Sequence, residues 1–272
     1  MIQKPKRLNS LSHQLGDMGV YDHPLYYEIA FSFINPREQV DSFERMIKAF
    51  SMRKVKRFLD LCCGPSLQLR EIARRGYQAV GLDISPQMLR YLEKKARDEQ
   101  VTIETIRADM AKFRLKRKAD FAFIMMGSFT FESNESLLSH LDSVASSLNK
   151  GSLYFIQNML LDCESFEKQS WTMQRDDITV KTDFWLEMKS IVKQVYTERL
   201  ILEVDDNGKR EKIAEERDLK LIYPQEFKTL IDLNQKFEFL GWWAEKHSTR
   251  DLDKPLEEAE DIHDNMILLR RK

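Results

Sequence analysis

The sequence predicts an α/β protein: a Rossmann-like, doubly wound sheet of seven strands with an antiparallel β extension inserted after strand five. Three observations carry this. An apolar run, Phe58-Leu59-Asp60-Leu61, ends in a tight turn, Cys62-Cys63-Gly64-Pro65-Ser66, and Leu67 to Ala73 then has apolar residues at helical spacing. A second apolar run, Ala79-Val80-Gly81-Leu82, ends at Asp83, nineteen residues past Gly64. Later, Ile178 to Met188, Ile191 to Asp205 and Arg210 to Leu221 form three runs rich in β-branched and aromatic residues, separated by short turns.

Strand, tight turn and helix together aim backbone N–H groups and a helix N-terminus at a ligand. A carboxylate about 20 positions beyond such a turn can accept from both hydroxyls of a ribose. The pair therefore reads as a nucleoside-cofactor site. A dinucleotide fingerprint needs several glycines and free N–H groups facing a pyrophosphate. Here no glycine follows Gly64 until Gly76, Pro65 has no N–H, and Asp60 would repel a diphosphate. A ligand carrying an ammonium and a sulfonium would be attracted to that carboxylate. The chemistry points away from NAD and towards S-adenosylmethionine.

Leu59-Asp60-Leu61-Cys62-Cys63-Gly64, Gly81-Leu82-Asp83-Ile84-Ser85-Pro86-Gln87-Met88-Leu89 and Ala108-Asp109-Met110 resemble the first three motifs of class I S-adenosylmethionine-dependent methyltransferases. The resemblance runs motif by motif over about residues 20 to 160. It departs at Cys62 and Ser66, where the commonest form of the first motif has glycine. The resemblance implies that Asp60, Cys62, Cys63 and Gly64 form the cofactor turn and that Asp83 grips the ribose. It implies that Ile84 and Met88 cover the adenine, and that Asp109 accepts from the adenine amino group with the Ala108 and Met110 amides nearby. A solvated turn aspartate is the competing reading of Asp109. In many relatives a segment like Tyr21-Asp22-His23-Pro24-Leu25-Tyr26-Tyr27 folds over the cofactor, which places Tyr26 near its carboxylate; plain packing on the core is the alternative.

At 272 residues, 42% hydrophobic and 32% charged, the chain is long enough to bury a substantial core. Lys+Arg 43 against Asp+Glu 44 gives a net charge of −1, so a broad nucleic-acid footprint is not expected. No apolar run approaches the roughly 20 residues of a membrane span, and no apolar region follows the basic N-terminus. Three cysteines, Cys62, Cys63 and Cys163, have neither disulfide nor metal spacing. The expectation is a cytoplasmic protein, monomer or homodimer, without metal.

Four regions follow in order. Residues 1–36 are an arm and cofactor-covering segment, and 37–160 the Rossmann-like core. Residues 161–222 are the antiparallel extension, a lid over substrate, and 223–272 the last helix and strands of the main sheet. Val40, Phe43, Ile47 and Phe50 predict a helix over 37–50. Ser85 as N-cap, Pro86 at N1, and Met88, Leu89, Leu92 and Ala96 on one face predict the next well-signalled helix. Val101 to Arg107 reads as the third strand and Asp120 to Met126 as a buried fourth. Met126, which joins the cofactor residues, to Phe131 would floor the pocket, bringing Ser128 and Phe131 to substrate; core packing is the alternative for Phe129. This loop lacks the Asn/Asp-Pro-Pro-Tyr/Phe sequence of DNA amino-methyltransferases, which argues against a nucleobase substrate.

Glu135 to Asn149 reads as a helix stopped by Gly151, with His140 on its surface. Ser152 to Gln157 is the fifth strand, and Asn158 and Asp162 follow its carboxyl end. Asp206-Asn207-Gly208 signals a hairpin. Pro224 opens a helix, Phe237 to Glu245 makes the sixth strand, the acidic stretch 251–264 is loop-like, and Asn265 to Arg270 is the last strand. This order is similar to small-molecule methyltransferases such as amino-sugar N-methyltransferases and glycine N-methyltransferase-like proteins. The resemblance thus implies an enzyme methylating a nitrogen or oxygen of a small molecule. Alternatives are an RNA or protein methyltransferase, or a nucleoside-binding protein without turnover. His23, Tyr26, Asn158, Asp162 and His247 are candidates for substrate contact or base, and Trp171, Phe184 and Trp185 for an aromatic pocket wall. No catalytic residue is assigned, because methyl transfer needs alignment more than acid–base help.

Overall fold

The computed structural model describes residues 19–161, 164–244, 255–259, 262 and 264–272. A 3-10 turn at 20–22 precedes α1 (Pro24–Ala30) and α2 (Pro36–Phe50). Then come β1 (Arg57–Leu61), α3 (Leu67–Arg74), β2 (Gln78–Asp83), α4 (Pro86–Asp98), β3 (Ile103–Arg107), β4 (Ala119–Ile124), α5 (Asn134–Ser147) and β5 (Leu148–Gln157). The extension is β6 (Gln169–Arg175), β7 (Ile178–Ser190), β8 (Val195–Asp206) and β9 (Lys209–Lys220). After it follow α6 (Pro224–Asn234), β10 (Phe237–Ala244) and β11 (Asn265–Arg271).

The main sheet has seven strands in the order β10-β11-β5-β4-β1-β2-β3. The five strands from β5 to β3 in this order run parallel, while β11 is antiparallel to both β5 and β10. Strands covered on both faces read as continuous apolar runs, and every residue of β1 and β4 is buried. Strand order reverses between β1 and β4, the switch point where open α/β sheets bind ligands. On one face Phe43 of α2 packs its ring 4.9–5.2 Å from Phe121, Phe123 and Phe155. The opposite face buries Leu141 and Val144 of α5 and Phe227 of α6.

Capping follows the sequence. Ser85 Oγ accepts from the Met88 amide at 3.2 Å, with Pro86 at the first helical position. Two expectations are corrected here. The fifth helix ends at Ser147 and β5 starts at once, so Gly151 lies inside that strand with φ +80° rather than capping the helix. His140 is fully buried rather than on the surface, because it sits on a polar stripe of α5 that faces irregular backbone instead of solvent.

The extension is a four-stranded antiparallel sheet in the order β6-β7-β8-β9. It has one strand more than the three expected runs, because Trp171 and Met173 alternate with polar residues in β6. Asn207 and Gly208 both have positive φ, +53° and +86°, as a tight hairpin turn requires. The covered face packs Val180, Leu200, Leu202, Val204 and Ile213 against Val20, Ile29 and Ala30. The extension is thereby fastened to the N-terminal segment, which bridges it to the core.

Candidate active site

The turn after β1 is built on unusual backbone. Cys62 has φ +55°, Gly64 +50° and Ser66 +27°, so the two positions where this chain lacks glycine both lie in left-handed space. That conformation costs a side-chain-bearing residue about 1 kcal/mol or more, which local bonds must offset. Ser66 supplies them. Its Oγ donates to Asp60 at 2.6 Å and accepts from the Leu69 amide at 3.0 Å, capping α3. Cys62 Sγ lies 3.2 Å from Met110 Sδ, joining this turn to the one after β3.

Asp83, at the end of β2, faces the same turn. One carboxylate oxygen accepts from the Gly64 amide at 2.8 Å and the other from the Ser85 amide at 2.8 Å. Two backbone donors fix the carboxylate's orientation and leave each oxygen a further lone pair for ligand hydroxyls. Burial pushes the Asp83 carboxyl above its ordinary value, against the lowering effect of these donors. Asp60 is raised further, by burial first and by the Asp83 charge, with the Ser66 bond opposing. Among the described residues no cation pairs with Asp60.

An open cleft lies over this turn. Asp60, Cys62, Cys63, Gly64 and Ser66 line it from β1 and the turn, and Met126 and Ser128 from the end of β4. These elements flank the topological switch point. Tyr27, Glu28, Phe31 and Ile34 form the facing wall. Glu28 is buried and held by Arg70 of α3 and Arg175 of β6, each at 2.7 Å. Burial alone would raise its carboxyl, but the two guanidiniums, Arg70 foremost, hold it below the ordinary value. One carboxylate thus ties α1 to both the core and the extension.

Other expected residues fall differently. Tyr26 donates from its hydroxyl to Asp206 at 3.0 Å and packs with the extension, away from the cleft, and His23 stacks on it at 5.7 Å. The cleft wall takes Tyr27 instead, one residue on. Phe131 is buried in the core against Phe129 (4.8 Å) and His140 (5.1 Å). Asn158 stands at the carboxyl edge, yet its Oδ1 accepts from the Asn265 amide at 3.2 Å and stitches β5 to β11. Trp185 lies on the outer face of the extension between Lys168 (5.3 Å) and Arg199 (5.9 Å). Trp171 donates to the Ala30 carbonyl at 2.7 Å, behind Phe31. Asp162, Cys163 and His247 lie outside the described residues.

Met88 is buried beneath Gly64, where a Cβ built on the glycine would stand 3.9 Å from its Sδ, and Ile84 is exposed at the carboxyl edge. The Ala108 amide donates to the Asp83 carbonyl at 3.1 Å, and Asp109 Oδ1 accepts from the Ala111 amide at 2.7 Å. Asp83, Ile84, Ala108, Asp109 and Met110 therefore follow the carboxyl ends of β2 and β3 beside the cleft, joined to it through the Gly64–Asp83 and Cys62–Met110 contacts, with Met88 buried. Sequence reasoning missed Tyr27, Phe31 and Ile34, the last two of which lie past the end of α1 where no periodicity marks them. Glu28 and its two arginines come from three distant segments and leave no sequence signal.

The donor set fits S-adenosylmethionine. Asp60 is a buried carboxylate without a cationic partner among the described residues, which an ammonium or sulfonium would balance. Asp83 presents oriented lone pairs to a diol, and Gly64 leaves open space where a side chain would intrude. Comparison with known proteins agrees. Residues 58–151 match the family described as "Methyltransferase domain". A crystal structure of an S-adenosylmethionine-dependent methyltransferase from Clostridium acetobutylicum superposes with a TM-score of 0.72 at 13% identity, covering 90% of this chain and 96% of that one. DesVI of Streptomyces venezuelae gives 0.70 at 17% identity over 91% and 97% of the two chains. The sugar N-methyltransferase KedS8 from Streptoalloteichus gives 0.70 at 18% over 99% and 100%. A curated protein of Geobacillus sp. (strain WCH70), whose name suggests a methyltransferase, is 29% identical over 102 residues, spanning 37% of this chain and 41% of that protein. The fold is that of the class I S-adenosylmethionine-dependent methyltransferases. Residues 58–151 of that fold carry the match to the methyltransferase domain.

Proposed function

We propose that this protein transfers a methyl group from S-adenosylmethionine to a nitrogen or oxygen of a small molecule by in-line displacement. The observation that carries the reading is the cleft at the β1/β4 switch point, where Asp60 has no cation beside it among the described residues and Gly64 is tied to Asp83. When bound, S-adenosylmethionine supplies a methyl carbon already activated by positive sulfur. The chain's contribution is to hold and to orient. Asp83 would take the ribose hydroxyls, Asp109 the adenine amino group, and Asp60 the ammonium of the methionine part. Met126 and Ser128, at the end of β4, would face the methyl.

A small acceptor is supported by what covers the cleft. Tyr27, Glu28, Phe31 and Ile34 stand over the turn, and the extension is fastened to them from behind. KedS8, which shares the whole layout, is a sugar N-methyltransferase, and CalS10, with a TM-score of 0.68, is an amino pentose methyltransferase. A net charge of −1 gives no general attraction to nucleic acid. No helix among the described residues is long and apolar enough to cross a membrane. Cys62 and Cys63 are free thiols, in keeping with a reducing, cytoplasmic setting.

The test is a thermal-shift titration with S-adenosylmethionine and S-adenosylhomocysteine, with NAD alongside. Ligands that bind the native state raise the melting temperature. A rise with the sulfur nucleosides alone is expected, followed by a screen of amines and hydroxyl compounds as acceptors. A rise with NAD alone overturns the reading.

A further inference from the structure

The turn after β3 has almost no ladder partners of its own. Only an isolated bridge, Asp109 to Lys112, and the Ala108–Asp83 bond hold its backbone within the sheet layer. The Ala111 amide is capped by Asp109 within the turn, and several of the other polar groups are taken by side chains of one helix. Ser139 donates to the Ala111 carbonyl at 2.7 Å, and Ser143 to the same carbonyl at 3.3 Å. Ser143 Oγ also accepts from the Phe113 amide at 3.2 Å, and Ser147 Oγ from the Leu115 amide at 3.2 Å. Ser139, Ser143 and Ser147 recur every four residues, a single stripe along α5.

His140 completes the stripe. It is fully buried, with Nδ1 2.8 Å from the Met110 carbonyl and Nε2 2.7 Å from the Tyr154 hydroxyl. A carbonyl only accepts, so Nδ1 carries the proton and Nε2 accepts from Tyr154. Phe129 and Phe131 close over the ring. Nothing in the proposed chemistry uses this imidazole, yet it grips Met110, whose sulfur touches Cys62 of the first turn.

We propose that His140, supported by Ser139 and Ser143, is a positioning residue for the adenine half of the cofactor site. Its bond to the Met110 carbonyl sets where Ala108, Asp109 and Met110 stand. The inference rests on the methyltransferase reading and adds what holds that turn in register.

Two substitutions separate positioning from mere core filling. In His140→Asn the side-chain amide reaches the place of Nδ1 and can still donate to Met110. In His140→Gln the amide reaches the place of Nε2 and can accept from Tyr154, leaving the Met110 carbonyl bare. Calorimetric titration with S-adenosylhomocysteine should find His140→Asn within about threefold of the parent protein and His140→Gln weakened about tenfold, the effect of one lost hydrogen bond. 5′-Methylthioadenosine, which shares the adenosine and lacks the amino acid, should weaken by the same factor. Ser139→Ala, at a half-buried site, is a milder check and should weaken both ligands about threefold with little change in unliganded melting temperature. Equal affinities for the Asn and Gln variants, a loss confined to S-adenosylhomocysteine, or an unchanged Ser139→Ala would overturn the inference. A parent protein that binds neither nucleoside would overturn the cofactor reading itself.

Discussion

The buried imidazole also makes a stability prediction. Burial drives the His140 pKa down from 6.5 to about 4, against the opposing effects of the Met110 carbonyl and the Asp109 charge. In the unfolded chain the same group titrates near its ordinary value. Between the two pKa values the unfolded state therefore binds a proton that the native state refuses. Stability is complete above about pH 6.5 and falls as pH drops towards 4. The gap of about 2.5 units, at about 1.36 kcal/mol each, amounts to about 3 kcal/mol. Urea unfolding at several values between pH 7.5 and 4 measures it, with His140→Asn as the non-titrating reference. Asp60 and Asp83, whose carboxyls are raised, act in the opposite sense over part of this range. They are present in both proteins and cancel in the difference. The parent should lose about 3 kcal/mol more than the variant. Parallel curves, differing by less than about 1 kcal/mol over the range, would refute the burial argument.

Asp83→Ala should weaken S-adenosylhomocysteine by about 2 kcal/mol in calorimetry, since both ribose bonds go; unchanged affinity would refute the ribose assignment. Gly64→Val should abolish that binding and leave far-ultraviolet circular dichroism intact, because the side chain enters the cleft at φ +50°. Glu28→Gln should cost about 3 kcal/mol in denaturant unfolding, because it strips the buried Arg70 of its closest carboxylate at 2.7 Å. Ser66→Ala removes a helix cap and the bond to Asp60, and should lower stability by about 1–2 kcal/mol on the same assay.

The central fold was legible because its signals are local. The β1 turn, the Ser85-Pro86 helix start and the Asn207-Gly208 hairpin are each written in a few adjacent residues whose backbone chemistry allows little else. What failed to read was relational. Tyr26 and Tyr27 are both aromatic and adjacent, and which of them meets the cleft depends on how α1 is rotated between core and extension. His140 looked like a surface residue because its neighbours on α5 are serines, and serines on a helix ordinarily face water. Here they face the carbonyls of a segment without strand partners, a fact held in residues 108–115 and invisible along α5 itself. Trp185 alternates correctly for a strand, but strand alternation alone does not say which face is covered.

The two missing glycines then acquire a physical meaning. A glycine at 62 or 66 would adopt the observed φ freely. Cysteine and serine adopt it at a cost, and in return each carries a contact that glycine lacks. Ser66 connects Asp60 to the N-terminus of α3, and Cys62 connects the first turn to Met110, which His140 holds from behind. With the Gly64–Asp83 bond, three motifs far apart in sequence are joined by side chains rather than left to meet only around a ligand. Such a site has less to order when the cofactor arrives, so part of the ordering cost of binding is met during folding. The substitutions that seem to weaken the motif are, on this geometry, what pre-forms it.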